Sequence, residues 1–515
     1  MSYIGQSYSI PLVQSGLNMN FNMDSIPPTG LVEGTRNINL NEGGIRKRGG
    51  TSKVNGTAVT GTPRIMGIFD FQLASSSFQV FAGKDGGLYK NSTTTIKTGM
   101  STANKFSFAV FGNELYVCDG DTTPQTWDGA AAGTSNLTTP ATDWSGGNQP
   151  FQVFAHGRGA SRRMWYLYSN AVYYSSLGDG KVVNGGTSGK ITIDTGDAYG
   201  LVGGVEFGNR IIVFSRDNAY IIDDSDASTA NWGYAKAQWH GGVAHWRLLV
   251  KTPNDLLAMT EDGEIYSITA VQDYGDYKAA SILRQAFIDR WIRDNARLAN
   301  IDDFHATYDP MLRAVKFFVV RTGQTQADTT LVYFIDRPPA YAWTIHDNLS
   351  YNSGYKASCS AIVRTDTGSY VMYTGDHAGF LWKLEQANRN DDSNGFYGGL
   401  KIPPITFDNP RVTKHYKRVR VVTKNQGNFI LNVNWWVDGA QQTAQTISLS
   451  STGDVFGTGV FNTAVFGVNE NMDSGFDMGQ VGKRVQMEIY NSSANQDFFI
   501  SQLLIDHKLL GVKPT

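Results

Sequence analysis

Residues 106–118 read Phe-Ser-Phe-Ala-Val-Phe-Gly-Asn-Glu-Leu-Tyr-Val-Cys, and residues 203–214 read Gly-Gly-Val-Glu-Phe-Gly-Asn-Arg-Ile-Ile-Val-Phe. Each stretch holds two β-rich runs joined by a Gly-Asn pair, residue types that suit a tight turn. Such units follow one another from Ile65 to Glu385 at a spacing of roughly forty residues, the range of four-stranded propeller blades. One unit cannot bury its apolar face alone, so the units must stack around an axis. The sequence therefore predicts an all-β protein built on a six- or seven-bladed β-propeller.

Seven units can be counted, beginning near residues 64, 106, 151, 201, 246, 304 and 358. The last unit could instead merge with an N-terminal strand to close the ring, so six blades stay open as an alternative. The composition agrees with strands, because the chain of 515 residues has 24 Tyr, 27 Phe and 11 Trp, and aromatic residues favour strands.

Charge and cysteine usage limit the classes of protein to consider. The formal net charge is −2, so no overall field recruits nucleic acid or an anionic membrane. Cys118 and Cys359 are far apart and outside any metal-ligand spacing, which predicts two reduced, buried thiols.

The N-terminus lacks a basic segment followed by an apolar one, and no apolar run approaches eighteen residues. We therefore expect a soluble protein without a secretion signal or a membrane span, made in a cytoplasm.

The chain divides into three predicted parts: an N-terminal arm (1–60), a propeller (61–386) and a C-terminal β-domain (396–515). Within the arm, runs 36–40 and 45–48 flank Glu42-Gly43-Gly44 and predict a hairpin. Residues 386–395 are polar and predict a linker or loop. Residues 450–482 are rich in Gly and Asn, which predicts a long loop, and loops of this length are usually functional or disordered.

One helix is expected inside the propeller, at about 281–299. Ser281 could cap it, and Leu283, Phe287 and Trp291 recur every four residues on one face. In the C-terminal part, Leu431, Val433, Trp435 and Val437 alternate with polar residues or Trp436, and similar alternation follows at 485–489 and 499–505. These patterns predict half-buried strands of a small antiparallel sandwich.

Motifs for chemistry are scarce. The eight histidines include no pair at helical spacing, and the acidic runs 119–121 and 223–226 do not extend to the downstream Gly and Glu of a calcium loop. We interpret both runs as carboxylates of blade turns. No nucleophile elbow or phosphate-binding loop is found. The sequence therefore nominates no catalytic residue, cofactor or metal ligand, and the expected protein is not an enzyme.

Basic residues cluster locally and are candidate interface residues. Such clusters usually mean a solvated face, but Arg is also favoured at subunit contacts and at phosphate backbones. The candidates on the hairpin, the predicted helix and the first strand of the C-terminal domain are Arg46, Lys47, Arg48, Arg290, Arg293, Arg297, Arg418 and Arg420.

These features together resemble a known family. The Asn-rich arm, the hairpin Glu42-Gly43-Gly44-Ile45-Arg46-Lys47-Arg48-Gly49-Gly50, the propeller-like units and the C-terminal β-domain are similar to tail nozzle proteins of short-tailed phages, also called tail tubular protein B or packaged-DNA stabilisation proteins. The family usually has G-x-x-K-R-P-G in this hairpin, whereas Gly49 here replaces the Pro. Beyond the hairpin, the similarity is one of architecture.

The resemblance implies a sixfold ring of propellers in the virion, below the portal and adaptor proteins and in contact with tail fibres or tip proteins. Double-stranded DNA would pass through the shared channel without sequence specificity, and the ring would also plug the packaged genome. It further implies that the 46–48 hairpin is a structural strap. Two other classes stay open: a carbohydrate- or receptor-binding tail adhesin, in which Trp435 or Trp436 stacks on sugars, and a propeller glycoside hydrolase.

Overall fold

The fold is known from a computed structural model. It describes residues 6–511 except 14, 41–42, 92, 158–161, 197–198, 240, 272–275, 284–287, 348–354, 366, 425–428 and 450–471.

The middle of the chain is a seven-bladed propeller. Within the described residues, six blades are consecutive four-stranded antiparallel sheets in which strand order follows chain order. Their strands are β5 (Ile65–Gln72), β6 (Ser77–Gly83), β7 (Leu88–Lys90), β8 (Thr94–Lys97); β9 (Ser107–Phe111), β10 (Glu114–Cys118), β11 (Gln125–Trp127), β12 (Ser135–Asn136); β13 (Gln152–His156), β14 (Arg163–Tyr168), β15 (Ala171–Tyr174), β16 (Gly189–Thr192); β17 (Gly203–Phe207), β18 (Arg210–Phe214), β19 (Ala219–Asp223), β20 (Gly233–Lys236); β21 (Leu249–Lys251), β22 (Asp255–Met259), β23 (Ile265–Val271), β24 (Asp276–Ser281); and β25 (His305–Asp309), β26 (Ala314–Val319), β27 (Thr329–Phe334), β28 (Trp343–Asp347).

The seventh blade joins the two ends of the propeller. Its strands β29 (Cys359–Arg364), β30 (Tyr370–Gly375) and β31 (Leu381–Gln386) are completed by β4 (Gly50–Lys53) from the arm, which pairs antiparallel with β31. The first strand of every blade contacts that of the next, and β29 contacts β5. The ring is therefore closed, with seven blades, and an N-terminal strand closes it.

The C-terminal part is a two-sheet sandwich. One sheet has the order β2-β3-β41-β35-β39 with β1 on β41, and the other has β34-β40-β36-β37 with β38 on β36. The strands concerned are β1 (Gln6–Pro11), β2 (Ile38–Asn39), β3 (Ile45–Lys47), β34 (Gly398–Lys401), β35 (Thr413–Thr423), β36 (Ile430–Val437), β37 (Ala440–Gln441), β38 (Gln445–Ser448), β39 (Met472–Gly482), β40 (Val485–Asn491) and β41 (Phe499–Gly511). The alternation predicted for 431–437 is confirmed, because Leu431, Val433, Trp435 and Val437 are buried.

The arm serves both bodies. Its predicted hairpin is confirmed, since β2 and β3 pair antiparallel with Ile38 opposite Lys47. Upstream, the Leu17 amide donates to the Trp343 carbonyl at 3.1 Å, on the outermost strand of the sixth blade. A continuous apolar cluster runs from blades four to seven into the sandwich, so the three predicted parts pack against one another.

The predicted helix is present, but its predicted start at Ser281 is wrong. Residues 276–281 form strand β24, with Ser281 opposite Tyr266, so Ser281 does not cap a helix; the described helix is α1 (Asp289–Asn295), which buries Trp291 and Ile292. Leu283 is buried, and Phe287 lies outside the described residues. The 3-10 turns within the described residues are Met23–Ser25, Thr229–Asn231, Trp246–Leu248, Leu298–Asp303 and Pro339–Tyr341. Within the described residues, no helix is long and apolar enough to cross a bilayer.

The predicted linker and loop are also partly strand. β32 (Asn390–Asp391) and β33 (Asn394–Gly395) form a small hairpin, and Asp391 lies opposite Thr51 of β4. Residues 472–482 of the predicted loop are strand β39, which pairs with β35, whereas 450–471 lie outside the described residues. Polar, Gly-rich sequence has a low intrinsic preference for strands. Residues 472–482 form a strand because β35 supplies the backbone hydrogen bonds of a ladder.

Candidate functional site

The hairpin that carries the family resemblance lies at the junction of arm, propeller and sandwich. We call residues 45–53, which include β3 and β4, the clasp. β3 adds to β41 of the sandwich, with Ile45 opposite Ile500, while β4 completes the seventh blade. One short segment thus hydrogen-bonds to both bodies.

Arg48 is a buried cation of the clasp, with 4% of the residue exposed. Its Nη1 and Nη2 donate to the two carboxylate oxygens of Asp391 at 3.0 and 2.6 Å, and its Nε donates to Asn37 at 3.0 Å. The guanidinium also lies 4.0 Å from the ring centroid of Phe396. Burial opposes its charge, but Asp391 raises the pKa of Arg48 above its ordinary value. A bidentate pair of this kind fixes the relative orientation of the two side chains and is stronger than a hydrogen bond between neutral groups.

Lys47 and Arg46 tie the clasp to the sandwich. The Lys47 ammonium, fully buried, donates to the Asn491 side chain and to the Ser493 carbonyl, both at 3.1 Å. Arg46 Nε donates to Asp497 at 2.9 Å. The burial of Lys47 and Arg48 corrects the prediction that they meet a partner or DNA, because their contacts are within this chain.

Glu385 anchors the other side of the clasp. It follows an irregularity in the pairing of β31 with β4 and has a positive φ of 53°, a conformation that non-glycine residues rarely adopt. The carboxylate accepts from the Gly49 amide at 2.8 Å, from Asn39 at 3.0 Å and from Lys316 Nζ at 2.7 Å. Lys316 is 1% exposed.

Electrostatics hold this carboxylate in its charged form. Burial opposes ionisation, but the ammonium of Lys316, which also donates to the carboxylate, holds the pKa of Glu385 far below its usual value. His346 is neutral, because burial lowers its pKa to about 3. The junction is thus a paired, desolvated network, in which removal of one partner is costly.

Lys47 is expected to make the unfolding free energy rise between about pH 7 and 8.5. Burial, reinforced by the charge of Arg48, lowers the pKa of Lys47 to about 7, whereas lysine in an unfolded chain titrates near 10.4. The unfolded state therefore binds more protons in this window, so stability increases with pH. Lys47→Met should remove about 1 kcal/mol per pH unit of this slope, measured by urea unfolding.

The control for this experiment is Lys190→Met. Lys190 is a surface lysine paired with Asp143, and its removal should leave the slope unchanged. Equal slopes for the wild type and Lys47→Met would contradict the assignment.

The remaining candidate residues lie on the surface and are not brought together with the clasp. In α1, Arg290 pairs with Asp294 at 3.2 Å and Arg293, 66% exposed in its side chain, lies 3.9 Å from Asp289. Arg297 donates to the Gln324 carbonyl at 2.9 Å. On β35, the sequence places Arg418 and Arg420 on one face; Arg418 lies 3.9 Å from Asp477, and Arg420 lies 3.1 Å from Asp506.

The turn carboxylates have structural partners. The Asp119 carboxylate accepts from the amides of Ser101, Asp121 and Thr122 and from the Thr122 hydroxyl, at 2.7 to 3.0 Å. Asp223 accepts from the Ser225 amide and hydroxyl. Among the described residues, no group of three or more His, Cys, Asp or Glu side chains is placed to hold a metal ion. Both cysteines are buried free thiols, as predicted.

The axis of the propeller is lined by both apolar and polar side chains. A cavity of about 410 Å³ is lined by the first strands of the seven blades, including Phe69, Phe108 and Phe154. Phe69 and Phe108 stack with ring centroids 5.7 Å apart. A cavity of this volume can hold a small molecule. It is too small to admit a DNA duplex, in which the major groove alone is about 12 Å wide.

Sequence reasoning missed most of the junction. Asp391 and Asn390 lie in the predicted linker, and Glu385, Lys316 and Asn37 are single polar residues within or beside apolar runs. A charged residue inside an otherwise apolar strand, such as Lys316 in 314–320, was the available signal. Its partner could not be read from the sequence, because it is 69 positions away.

Comparisons with known proteins leave the function open. No family model matches the sequence, and no curated protein matches it. Similar solved structures include YCF48 from Cyanidioschyzon merolae (TM-score 0.41, 12% identity, 65% of this chain and 98% of that one) and BBS1N in complex with ARL6DN (0.41, 10%, 66% and 96%). Another is the Cps50 (Swd1) β-propeller domain of Myceliophteria thermophila (0.41, 10%, 65% and 99%). At these identities and TM-scores, the likeness says nothing about the function of this chain.

Proposed function

We propose that this protein is a structural subunit of the tail of a short-tailed bacteriophage, assembled in the host cytoplasm and carried in the virion. Copies of it form a ring-shaped nozzle, a homohexamer by the resemblance, below the portal and adaptor proteins. The nozzle conducts double-stranded DNA and plugs the packaged genome. This role requires shape and stiffness, with no catalytic residue and no cofactor.

The observation that carries the proposal is the position of the clasp. The hairpin on which the family resemblance rests is the segment that joins the propeller to the sandwich through β3, β4, Arg48 and Lys47. A strap with buried ion pairs and backbone pairing to both bodies resists their relative movement. A conduit under the pressure of packaged DNA needs such resistance.

The size of the axial cavity supports a path for the DNA outside the propeller of a single copy. Since the axial cavity of one copy holds about 410 Å³ and is lined by aromatic rings, a duplex must pass between copies. Heterologous contacts close into a ring when the rotation between copies fits. The exposed arginines of α1 and β35 are candidates for these contacts or for the walls of the shared channel.

The alternative of a sugar-binding adhesin loses one of its two aromatic candidates. Trp435 is buried in the sandwich, and its indole donates to the Thr443 carbonyl at 2.9 Å. Trp436 is half-buried, with Lys401 Nζ 4.9 Å from its ring centroid. Trp435 therefore offers no open aromatic face for stacking on a sugar.

The test is assembly with a portal–adaptor complex. We expect the isolated protein to be monomeric by native mass spectrometry and to form a six-membered ring only on docking to that complex. Particles that lack the protein should release their DNA, measured as nuclease-sensitive genome. A stable hexamer of the isolated protein would contradict the assembly-dependent part, and full DNA retention without the protein would contradict the plug.

Charge reversal on α1 tests whether this helix contacts a neighbouring copy in the ring. Arg290→Glu with Arg293→Glu should lower ring formation about tenfold or more, because two interface charges change sign. Lys190→Glu, a reversal on the third blade, is the matched control and should assemble normally. Unchanged assembly of the double variant would remove α1 from the interface.

A further inference from the structure

A second cavity, of about 560 Å³, opens at the face of the propeller where the first strands of the blades begin. Arg64 precedes β5, Lys105 lies two residues before β9, and Asp303 lies two residues before β25. All three line this cavity, and Arg247 lines the axial cavity that adjoins it, since Met66 and Trp246 belong to both walls. We call Arg64, Lys105, Arg247 and Asp303 the mouth cluster.

Two cations of the mouth cluster share one carboxylate oxygen. Arg64 Nη2 lies 2.6 Å and Lys105 Nζ 2.9 Å from Oδ1 of Asp303. Arg247 donates to main-chain carbonyls, those of Ser358, Asp303 and Phe304, each at 3.0 Å. The carboxylate therefore balances one of three positive charges.

Two hydrogen-bond donors of the mouth cluster have no acceptor among the described residues. Arg247 is 7% exposed. Its Nε and the Nε of Arg64 are buried and make no hydrogen bond within the described residues. Buried donors are nearly always paired, so these two nitrogens mark a place where an acceptor would be stabilised.

The other charges around the cavity do not cancel this excess. Arg216 is paired with Glu261, and Lys84 and Asp302 are both exposed and opposite in sign. Asp119, the remaining carboxylate of the wall, is engaged by three amides and a hydroxyl, as described above. The positive charge of the mouth cluster is therefore the local excess.

The titration of the cluster agrees with uncompensated positive charge. Burial, followed by the charges of Arg247 and Arg64, lowers the pKa of Lys105 to about 8. Burial would raise the pKa of Asp303, but Arg64 and Lys105 hold it well below its ordinary value. An additional anion would stabilise the charged form of Lys105.

We propose that the mouth cluster binds a small organic anion through a phosphate or carboxylate group, held by Lys105 and Arg64 beside Asp303. This site goes beyond the proposed nozzle function and does not depend on it. Phosphate and carboxylate match the planar guanidinium and the ammonium as hydrogen-bond acceptors.

The recess limits the ligand to a small one. The Arg64 and Lys105 side chains are 15% and 12% exposed, so the phosphates of a duplex, fixed in a helical backbone, cannot reach both. Below the mouth, the wall of the axial cavity includes the apolar side chains of Met66, Phe106 and Phe108.

The test is calorimetric titration of the full-length protein with inorganic phosphate and with citrate, at constant ionic strength set by chloride. Lys105→Met should weaken binding at least about tenfold, the loss of one charge-assisted hydrogen bond. Lys190→Met removes a positive charge elsewhere and should leave the affinity unchanged. Circular dichroism checks that each variant is folded.

Asp303→Asn should change the phosphate affinity in the opposite direction. It removes the carboxylate that competes for both cations, so phosphate binding should tighten by about tenfold even if Lys105→Met fails to fold. Three results would overturn the proposal: no binding of either anion by the wild type, equal weakening in Lys105→Met and Lys190→Met, or no tightening in Asp303→Asn. Displacement of phosphate by a short DNA duplex would also overturn it, in favour of an open surface site.

Discussion

Glu385→Ala is expected to lower the free energy of unfolding by about 3–5 kcal/mol, the cost of breaking a buried ion pair from one side. The substitution leaves the ammonium of Lys316, 1% exposed, with Asp309, at 3.9 Å, as its one remaining carboxylate partner among the described residues. It also removes the acceptor of the Gly49 amide and of Asn39. Chemical denaturation followed by tryptophan fluorescence measures the change.

Two further variants make this result specific. Glu206→Ala breaks an exposed ion pair with Lys251 and should cost at most about 1 kcal/mol. Adding Lys316→Met to Glu385→Gln should restore part of the stability that Glu385→Gln loses, because the buried ammonium that lost its main partner is then removed. If Glu385→Ala were as mild as Glu206→Ala, the junction would not be a stabilising network.

Gly49→Ala should be strongly destabilising, and Gly49→Pro more so. A Cβ on Gly49 would lie 2.4 Å from the backbone of Glu385, so the clasp and β31 would have to separate. Proline would in addition remove the amide that donates to the Glu385 carboxylate at 2.8 Å. Overpacking costs about 1–3 kcal/mol and a hydrogen bond to a charged group about 1.5–3 kcal/mol, so Gly49→Pro should lose about 3 kcal/mol or more.

The matched control is Gly56→Ala, since a Cβ there meets open space. Thermal unfolding should separate the Gly49 and Gly56 variants clearly. The result also bears on the family resemblance, because the usual Pro of the hairpin is the residue that this geometry excludes. A tolerated Gly49→Pro would mean that the clasp can adopt the arrangement typical of the family.

The repeated units were predictable because they depend on local pattern. Alternation of apolar residues and Gly-Asn turns sets strands and hairpins within about a dozen residues, and both Asn113 and Asn209 have the positive φ that such turns need. The start of the helix was misplaced for the complementary reason. Ser281 is of a residue type that caps helices, but pairing with Tyr266 of β23 makes it the last residue of a strand in the fifth blade.

The candidate site was predictable only in part. The basic hairpin of residues 46–48 was visible in the sequence, yet its charges suggested a surface. Lys47 and Arg48 are buried because Asn491, Asp391 and Phe396 arrive from segments more than three hundred residues away. The mouth cluster had no sequence signal at all, since its members come from four different blades.

By itself, the sequence determined the all-β class, the repeating blades, the arm hairpin and the alternating strands of the sandwich, because each follows from periodicity and turn chemistry over short distances. Tertiary structure alone decided that the ring has seven blades closed by residues 50–53, and that a basic hairpin is an internal strap. The physical reason is that a buried charge is tolerated only where a partner meets it. Which residue becomes that partner depends on how distant segments pack.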